Sequence, residues 1–145
     1  MGRVYVSVTA DLLHTGHLSF FEKAKVFGSI LVVGVCSDKK ASSYKRTPIL
    51  NLQKRSSMVA ALSLVDEVIP HAPAITDKVF IEKFDIDVVV VTDWYSEEVL
   101  ERYYADPKSM DLLKVVPYSK SISTTQIINK CYRRYIECNG QLESL

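Results

Sequence analysis

Two histidines in this chain, His14 and His17, combine a residue type and a spacing that could act on a phosphoryl group. An imidazole ring donates hydrogen bonds to oxygen atoms, and two rings three positions apart can face one ligand. Gly16 stands between them, and glycine permits a tight backbone turn and close approach of a ligand. The pattern predicts a pocket with two histidine donors, although a lone histidine beside an apolar stretch is more often a structural residue.

The segments on either side of these histidines place them at a strand-to-helix turn. An apolar run at residues 4–8 is typical of a strand, and the spacing of apolar residues from 18 to 27 predicts a helix. Ligands of parallel sheets collect at the carboxyl ends of the strands, and the free N–H groups of a helix N-terminus favour anions. The position therefore predicts phosphate binding.

A second polar cluster, formed by Ser123, Thr124 and Thr125, stands where the last predicted helix begins, at residue 123. Hydroxyl groups and unpaired backbone N–H groups at a helix start can together hold nucleotide phosphates. The alternative is that Ser123 or Thr124 simply caps this helix. Both interpretations can hold, because a capping residue leaves neighbouring donors available to a ligand.

Alternating apolar and amphipathic segments predict the fold. Strand-like runs at 4–8, 30–36, 67–69, 86–91 and 112–116 alternate with helical patterns. This order predicts an α/β fold with a single doubly wound, five-stranded parallel sheet and right-handed crossovers. Residues 39–48 are polar, basic and without periodicity, so they are predicted to form a mobile loop. We expect one domain over residues 1–136 and a frayed C-terminal tail over 137–145.

Composition narrows the functional classes. The 145 residues are 48% hydrophobic and 24% charged, with a formal net charge of +1, as in an ordinary soluble domain. The sequence contains no basic block of the kind that binds nucleic acids or membrane surfaces. It also contains no recognisable signal peptide or membrane-spanning segment. The three cysteines, Cys36, Cys131 and Cys138, lack metal-ligand spacing, which predicts reduced thiols, a cytoplasmic protein and no metal site built from protein ligands.

The two motifs, with three segments between them, resemble a known superfamily. Residues 9–17 and the Ile-Ser-Thr-Thr segment at 122–125 resemble nucleotidyltransferases that carry HxGH and ISTT motifs. Segments 33–38, 65–73 and 92–94 add a likeness to the cytidylyltransferase family over nearly the whole chain. That resemblance implies a Rossmann-like fold, and CTP and a small phosphorylated alcohol as partners. The alcohol would be phosphocholine, phosphoethanolamine or glycerol 3-phosphate, and Mg²⁺ would accompany the triphosphate.

The resemblance also implies roles for individual residues. The phosphate of the acceptor would attack the α-phosphorus in line and pyrophosphate would leave, with no covalent enzyme intermediate. The implied catalytic residues are His14, His17, Lys45 and Thr125. The implied nucleotide-binding residues are Thr9, Ala10, Asp11, Gly16, Asp93, Trp94, Ser123 and Thr124, and the implied substrate-binding residues are Asp38, Arg46 and Arg55.

Several of these residues also have ordinary structural explanations. Lys45 could be a solvated loop lysine, and Arg55 could form a surface ion pair. Asp11 could hold the turn by accepting backbone hydrogen bonds. Trp94 could be a buried aromatic residue at a strand end. Family resemblance further implies a homodimer, with the Val-Asp-Glu-Val segment at residues 65–68 as a reasonable place for the contact.

Two departures from the family pattern keep other functions open. Ser63 and Tyr118 stand where cytidylyltransferases usually carry arginine. One explanation is that another cation replaces the missing arginines, namely Arg46, Lys54 or Lys120. The others are that the substrate differs or that the activity is weak. Segments 45–49 and 52–55 resemble adenylyltransferases that use ATP and a heptose-type sugar phosphate, which are the first alternative. A nucleotide-binding protein that has lost turnover is the second.

Overall fold

Five parallel strands form the centre of the computed structural model, which describes residues 2–142. The strands are β1 (Arg3–Val8), β2 (Ile30–Cys36), β3 (Glu67–Ala72), β4 (Val88–Thr92) and β5 (Leu113–Val116). Their order in the sheet is β3-β2-β1-β4-β5, with every neighbouring pair parallel. The strand order reverses between β1 and β4, so the predicted doubly wound five-stranded α/β fold is confirmed.

Seven helices connect and cover the strands in the described part of the chain. They are α1 (Thr15–Lys25), α2 (Asp38–Tyr44), α3 (Leu52–Ala60), α4 (Lys78–Lys83), α5 (Glu97–Tyr103), α6 (Ala105–Ser109) and α7 (Thr124–Leu142). No helix within residues 2–142 is both long and apolar enough to cross a membrane.

Apolar side chains cover both faces of the sheet, because successive residues of a strand point to opposite sides. On one face Val4 and Val6 pack with Phe21 of α1 and Val59 of α3. On the other face Tyr5 packs with a second cluster, whose members outside the sheet include Phe80, Ile81, Leu100 and Tyr104. A sheet buried on both faces explains why its strands are continuous apolar runs in the sequence.

The carboxyl edge of the sheet brings the predicted functional segments together. The turn after β1 leads into α1, β4 ends at Thr92, and the segment after β5 leads into α7. The reversal of strand order between β1 and β4 opens a crevice there, which is the usual ligand site of such sheets. Sequence-distant motifs therefore meet because of the topology.

The predicted loop at residues 39–48 is wrong over its first half. Helix α2 occupies Asp38–Tyr44, and the Ser37 hydroxyl caps it by accepting a hydrogen bond from the Lys40 amide at 3.1 Å. Ala41 is the buried side chain of this helix. One buried residue leaves no apolar periodicity to recognise, so the polar composition hid the helix. Residues 45–51 do lie outside helices and strands.

The last helix is longer than predicted. The sequence pattern indicates an end at Tyr135, but α7 continues to Leu142, so most of the predicted frayed tail is helical. Residues 143–145 lie outside the described residues. No proline interrupts the segment, and its long polar side chains are compatible with a helix. The domain boundary at residue 136 stays a prediction.

Candidate active site

His14 and His17 face each other at the start of α1. Their ring centroids lie 4.0 Å apart. The Gly16 amide donates to His14 Nδ1 at 3.0 Å, and the His14 amide donates to His17 Nδ1 at 3.2 Å. Because each Nδ1 accepts a hydrogen bond, a neutral ring carries its proton on Nε2. Two Nε2–H donors thus remain for a ligand.

Electrostatics keeps both imidazoles neutral in the free protein. Burial lowers the pKa of His17 to about 4, with further lowering by His14 and Lys45 and a small opposing effect of Asp11. Burial also lowers the pKa of His14, and the positive charge of Lys45 acts in the same direction. Protonation at Nδ1 would additionally break the bonds from the backbone amides.

Gly16 is required by the packing of His14. A β-carbon at residue 16 would lie 2.7 Å from His14 Cε1 and 2.9 Å from its Nδ1. It would also lie 3.3 Å from Cγ2 of Ile122, in the segment before α7. Any side chain here would displace the His14 ring, so glycine provides space in this motif.

The turn between β1 and α1 is strained and tied down at Asp11. Ala10 and Leu12 have φ angles of 56° and 49°, which non-glycine residues rarely adopt. Asp11 is buried, and its carboxylate accepts from the Ile49 and Leu50 amides at 2.8 and 3.0 Å. The structure thus gives Asp11 a backbone-holding role, but across to segment 45–51 rather than within its own turn.

The start of α7 combines capping with contact to this turn. The Ser123 hydroxyl accepts from the Gln126 amide at 3.2 Å, and Gln126 Oε1 accepts from the Ser123 amide at 3.0 Å. This reciprocal pair is a capping box. Thr124 is buried and donates its hydroxyl to the Asp11 carbonyl oxygen at 2.8 Å. The predicted capping is confirmed, and a phosphate role remains a prediction.

Lys45 and Arg46 approach the cleft from the segment after α2. Lys45 lines the cleft, and burial together with Arg46 lowers its pKa while Asp11 opposes this. Arg46 Nη1 donates to the Thr125 hydroxyl at 3.1 Å. Arg46 Nε is buried and has no hydrogen-bond partner among the described residues. The guanidinium therefore retains a free donor beside the start of α7.

The predicted contact of Arg55 with substrate needs correction. Arg55 is completely buried, and it donates to the carbonyl oxygens of Leu50, Thr9 and Cys36 at 2.9, 2.6 and 2.9 Å. Its remaining bond is to the Asp38 carboxylate at 2.5 Å. Every nitrogen of the guanidinium is engaged, so Arg55 holds the ends of β1 and β2 and positions α2. Asp38 gives one carboxylate oxygen to Arg55, and its side chain is 44% exposed, so its contact with substrate stays a prediction.

Asp93 and Trp94 lie beside the cleft, in contact with Tyr118. Asp93 Oδ1 accepts from the Tyr118 amide at 2.8 Å. The Trp94 and Tyr118 ring centroids are 5.2 Å apart, and Trp94 is exposed rather than buried at its strand end. Tyr118, which the sequence marks only as a missing arginine, lines the cleft.

These elements enclose a cleft of about 210 Å³. Its lining includes seven predicted residues, namely Thr9, His14, Gly16, His17, Lys45, Ser123 and Thr124. Eight predicted residues do not line it: Ala10, Asp11, Asp38, Arg46, Arg55, Asp93, Trp94 and Thr125. Among the described lining residues none is Asp or Glu, so the cleft is electrostatically suited to anions.

Sequence analysis missed several hydroxyl residues of the lining, among them Tyr95, Tyr104 and Ser7. Tyr95 and Tyr104 stack with ring centroids 6.0 Å apart, and Ser7 also lines the cleft. Burial raises the pKa of both tyrosines, so their hydroxyls stay neutral. Tyr95 follows a polar strand end and was detectable in principle. Nothing local marks Tyr104 or Ser7, because only the fold brings them here.

A metal site built from protein ligands is absent from residues 2–142, where no group of three His, Cys, Asp or Glu side chains could hold an ion. The described chain therefore offers no resident metal centre. A divalent ion that enters with a nucleotide would instead be held chiefly by phosphate oxygens.

Comparison of this chain with known proteins identifies relatives among the cytidylyltransferases. The profile of the family described as Cytidylyltransferase-like matches residues 8–130. Ethanolamine-phosphate cytidylyltransferase of Arabidopsis thaliana is 34% identical over 135 residues, which cover 88% of this chain and 32% of that protein. Choline-phosphate cytidylyltransferase A of Homo sapiens is 32% identical over 136 residues, covering 92% of this chain and 37% of that protein. The chain thus spans about a third of the length of these relatives.

Two further matches carry different names. Bifunctional protein HldE of Helicobacter pylori (strain HPAG1) is 33% identical over 135 residues, covering 91% of this chain and 28% of that protein. The crystal structure of the lipopolysaccharide core biosynthesis protein from Thermoplasma volcanium GSS1 superposes with a TM-score of 0.67 at 25% identity, covering 84% of this chain and 99% of the other. With the family profile spanning both histidines and the start of α7, this chain belongs to the cytidylyltransferase-like family.

Proposed function

We propose that this protein transfers CMP from CTP to a small phosphorylated alcohol and releases pyrophosphate. The observation that carries the proposal is the pair of Nε2–H donors of His14 and His17 at the head of α1, opposite the start of α7. Family membership and the names of the cytidylyltransferase relatives support CTP as the donor.

The chemistry asks the protein for positioning and charge stabilisation. An oxygen of the acceptor phosphate attacks the α-phosphorus, and the bond to the pyrophosphate oxygen breaks on the opposite side. His14 and His17 donate hydrogen bonds to the oxygens on which negative charge grows, and Lys45 supplies a positive charge. Arg46 and Thr125 hold the outgoing phosphates beside the start of α7. The neutral imidazoles bind without giving up a proton.

We propose that Mg²⁺ accompanies CTP as part of the substrate. It neutralises charge on the triphosphate and holds its oxygens in one geometry. The described side chains fit this arrangement because they offer donors and cations rather than a cage of carboxylates. The Thr124 backbone amide, Lys45 and Arg46 would bind the phosphate oxygens that the ion leaves free.

The acceptor would enter with its phosphate toward the two histidines. The cleft carries Lys45 and no described carboxylate, which favours two anionic substrates in one site. Neutral hydroxyls of Tyr95, Tyr104 and Ser7 offer hydrogen bonds to the rest of the acceptor. The named relatives point to phosphoethanolamine and phosphocholine, and the hydroxyl lining is equally compatible with glycerol 3-phosphate.

A second candidate function is transfer of AMP from ATP to a heptose-type sugar phosphate. The specific observation in its favour is the 33% identity to the Helicobacter pylori protein named HldE over 91% of this chain. The cytidylyltransferase relatives match at comparable identity, and the family profile carries their description. CTP therefore remains the first donor to test.

The decisive experiment measures pyrophosphate release with Mg²⁺, using CTP or ATP as donor. The acceptors are phosphoethanolamine, phosphocholine, 2-aminoethylphosphonate, glycerol 3-phosphate and heptose 1-phosphate. Release that requires CTP and one alcohol phosphate is the expected result. Release that requires ATP and the heptose phosphate would transfer the assignment to the second candidate. If the protein binds a nucleotide but releases no pyrophosphate with any pair of donor and acceptor, it would be a nucleotide-binding protein without turnover.

Matched variants then link the activity to the site. His14→Ala, His17→Ala and Lys45→Ala should each lower turnover, by about 10²–10³-fold for a histidine donor. His71→Asn is the control, since His71 is exposed outside the cleft and asparagine tolerates its φ of 54°. Histidine variants that keep turnover within a few-fold of the parent would remove the histidines from the mechanism.

A further inference from the structure

Tyr44, the last residue of α2, reaches from that helix to the turn after β1. Its hydroxyl forms a hydrogen bond with the Thr9 hydroxyl at 3.0 Å, and Lys45, the next residue in the chain, lines the cleft. We propose that Tyr44 is a positioning residue, which fixes the backbone of Lys45 and so the place that its ammonium group reaches in the cleft. The inference rests on the proposed function and adds to it a residue that acts through Lys45.

The residue to which Tyr44 is tied is itself held firmly. The Thr9 carbonyl oxygen accepts from the buried Arg55 guanidinium at 2.6 Å, and the same guanidinium donates to the Cys36 carbonyl oxygen at 2.9 Å. The Thr9 hydroxyl also lies 3.4 Å from Cys36 Sγ. The ends of β1 and β2 are therefore joined beneath Thr9, and a bond to this point fixes the end of α2 relative to the sheet.

The Lys45 side chain has no such attachment of its own. Among the described residues, its ammonium group makes no hydrogen bond and no salt bridge. A lysine ammonium stands on a flexible stem of four carbons, so the position of the backbone decides which atoms it can reach. The last backbone bond of α2, from the Lys45 amide to the Ala41 carbonyl oxygen at 3.1 Å, links this position to the helix that Tyr44 ties down.

Side-chain contacts of its two neighbours bracket Lys45. On one side Arg46 donates to the Thr125 hydroxyl, and on the other side Tyr44 bonds to Thr9. In the proposed reaction Arg46 binds phosphate, so its contact with Thr125 is exposed to competition from the ligand. The Tyr44 side chain lies outside the lining of the cleft. Its bond to Thr9 therefore holds the backbone beside Lys45 without itself engaging a phosphate.

The hydroxyl, rather than the ring, gives Tyr44 this role. The Tyr44 residue is 59% exposed, so packing of its ring contributes little to holding it in place. The hydroxyl end points inward, toward Thr9 and the buried Cys36, and burial raises the pKa of Tyr44 to about 12. The hydroxyl is thus protonated at neutral pH. Removal of this one oxygen should release the end of α2 and leave the fold intact.

A double-variant comparison tests whether Tyr44 acts through Lys45. Tyr44→Phe should lower kcat for pyrophosphate release about three- to tenfold in the parent chain, as expected for one lost hydrogen bond. It should cause no further loss in the Lys45→Ala chain. Ser43→Ala is the control, because it removes a hydroxyl that bonds to the Lys40 carbonyl oxygen within the same helix. Its kcat should equal that of the parent.

Three results of this comparison would overturn the positioning role. They are an unchanged kcat in Tyr44→Phe, equal fold losses in the parent and Lys45→Ala chains, and a loss confined to the KM of the acceptor, which would make Tyr44 a binding residue. The urea midpoint of Tyr44→Phe should match that of the parent. If it falls, Thr9→Val removes the other half of the bond, and adding Tyr44→Phe to it should then lower kcat no further.

Chemical labelling of Lys45 provides a readout that needs no turnover. Burial, together with Arg46, lowers the pKa of Lys45 from 10.5, Asp11 opposes this, and the neighbouring imidazoles of His14 and His17 are neutral. Release of the backbone in Tyr44→Phe should expose the ammonium group to water and raise this pKa. The pH at which acetic anhydride labels Lys45 at half its maximal rate, followed by peptide mass spectrometry, should therefore rise.

The labelling result separates this inference from the proposed function. An unchanged labelling midpoint in Tyr44→Phe would overturn the positioning of Lys45, whether or not the parent releases pyrophosphate. A raised midpoint in a protein that releases no pyrophosphate with any donor and acceptor would support the positioning of Lys45 and refute the proposed reaction.

Discussion

The Arg46 guanidinium donates a hydrogen bond to the Thr125 hydroxyl at 3.1 Å, which ties the segment after α2 to the first turn of α7. The two residues are 79 positions apart in the chain. Arg46 also keeps a buried Nε without a partner among the described residues. A phosphate group at this place would satisfy that donor and also reach the α7 N-terminus.

The Arg46–Thr125 contact predicts coupled effects on catalysis. Arg46→Met and Thr125→Val should each lower kcat/KM for pyrophosphate release, and the double variant should lose less than the product of the two single losses. The expected coupling is about 0.5–3 kcal/mol, as for residues in one network. Thr125→Ser keeps the hydroxyl and should retain most activity. Strictly multiplicative losses would mean that the two side chains act independently.

Gly16→Ala should separate activity from stability. The added methyl group meets the His14 ring at 2.7 Å, so the ring must move and turnover should fall by about 10²-fold. Alanine favours a helix over glycine by about 1 kcal/mol, which offsets the lost hydrogen bond from the residue-16 amide to His14 Nδ1, so the melting temperature should change little. In Gly28→Ala the methyl group instead meets the Gly2 carbonyl oxygen at 2.4 Å, so this contrast variant should lose stability. Normal turnover in Gly16→Ala would show that His14 does not need its observed position.

The low pKa of His17 predicts a loss of stability in mild acid. The unfolded chain binds a proton at an ordinary pKa of 6.5, whereas the folded chain resists protonation until about pH 4. The free energy of unfolding should therefore fall as the pH drops from 6.5 toward 4, by about 1–2 kcal/mol from this residue at pH 5. Above pH 6.5 this residue contributes no slope. Urea denaturation at pH 7.5 and pH 5 measures the difference.

The matched variant for that measurement is His17→Gln. Glutamine at the third helical position can still accept the His14 amide hydrogen, but it does not titrate. The difference between the two pH values should shrink in His17→Gln and persist in His71→Asn. An unchanged difference in His17→Gln would assign the acid sensitivity to other groups.

Because Arg55 is buried and fully hydrogen-bonded, we expect its replacement to lower the stability of the fold. Arg55→Met would leave the carbonyl oxygens of Leu50, Thr9 and Cys36 without their donor and the Asp38 carboxylate without its cation. The free energy of unfolding should fall by about 3 kcal/mol. Lys54→Met, on the exposed face of the same helix, should change it by less than about 0.5 kcal/mol. Equal urea midpoints for the two variants would contradict this role.

Local patterns in the sequence were sufficient to predict the sheet, the starts of helices such as α3 and α7, and the two motifs. Apolar runs such as residues 30–36 indicate strands covered on both faces, and Ser123 and Asn51 indicate caps because a cap needs only its own helix. Helix α2 escaped prediction because one buried side chain leaves no period. The extent of α7 escaped it because helix ends lack a strong signal without glycine or proline.

By itself the sequence determined which residues of the two motifs meet, since His14, Gly16, His17, Ser123 and Thr124 all line one cleft. Only the tertiary structure decided the surroundings of Arg55 and Tyr118. Burial and bonding partners separate an arginine that holds two strand ends from one that meets a phosphate, and both depend on contacts between distant segments. Tyr118 gains its place because β5 lies beside β4, which brings it against Trp94. Residue type sets what a side chain can do, and its neighbours in the fold decide which of those things it does.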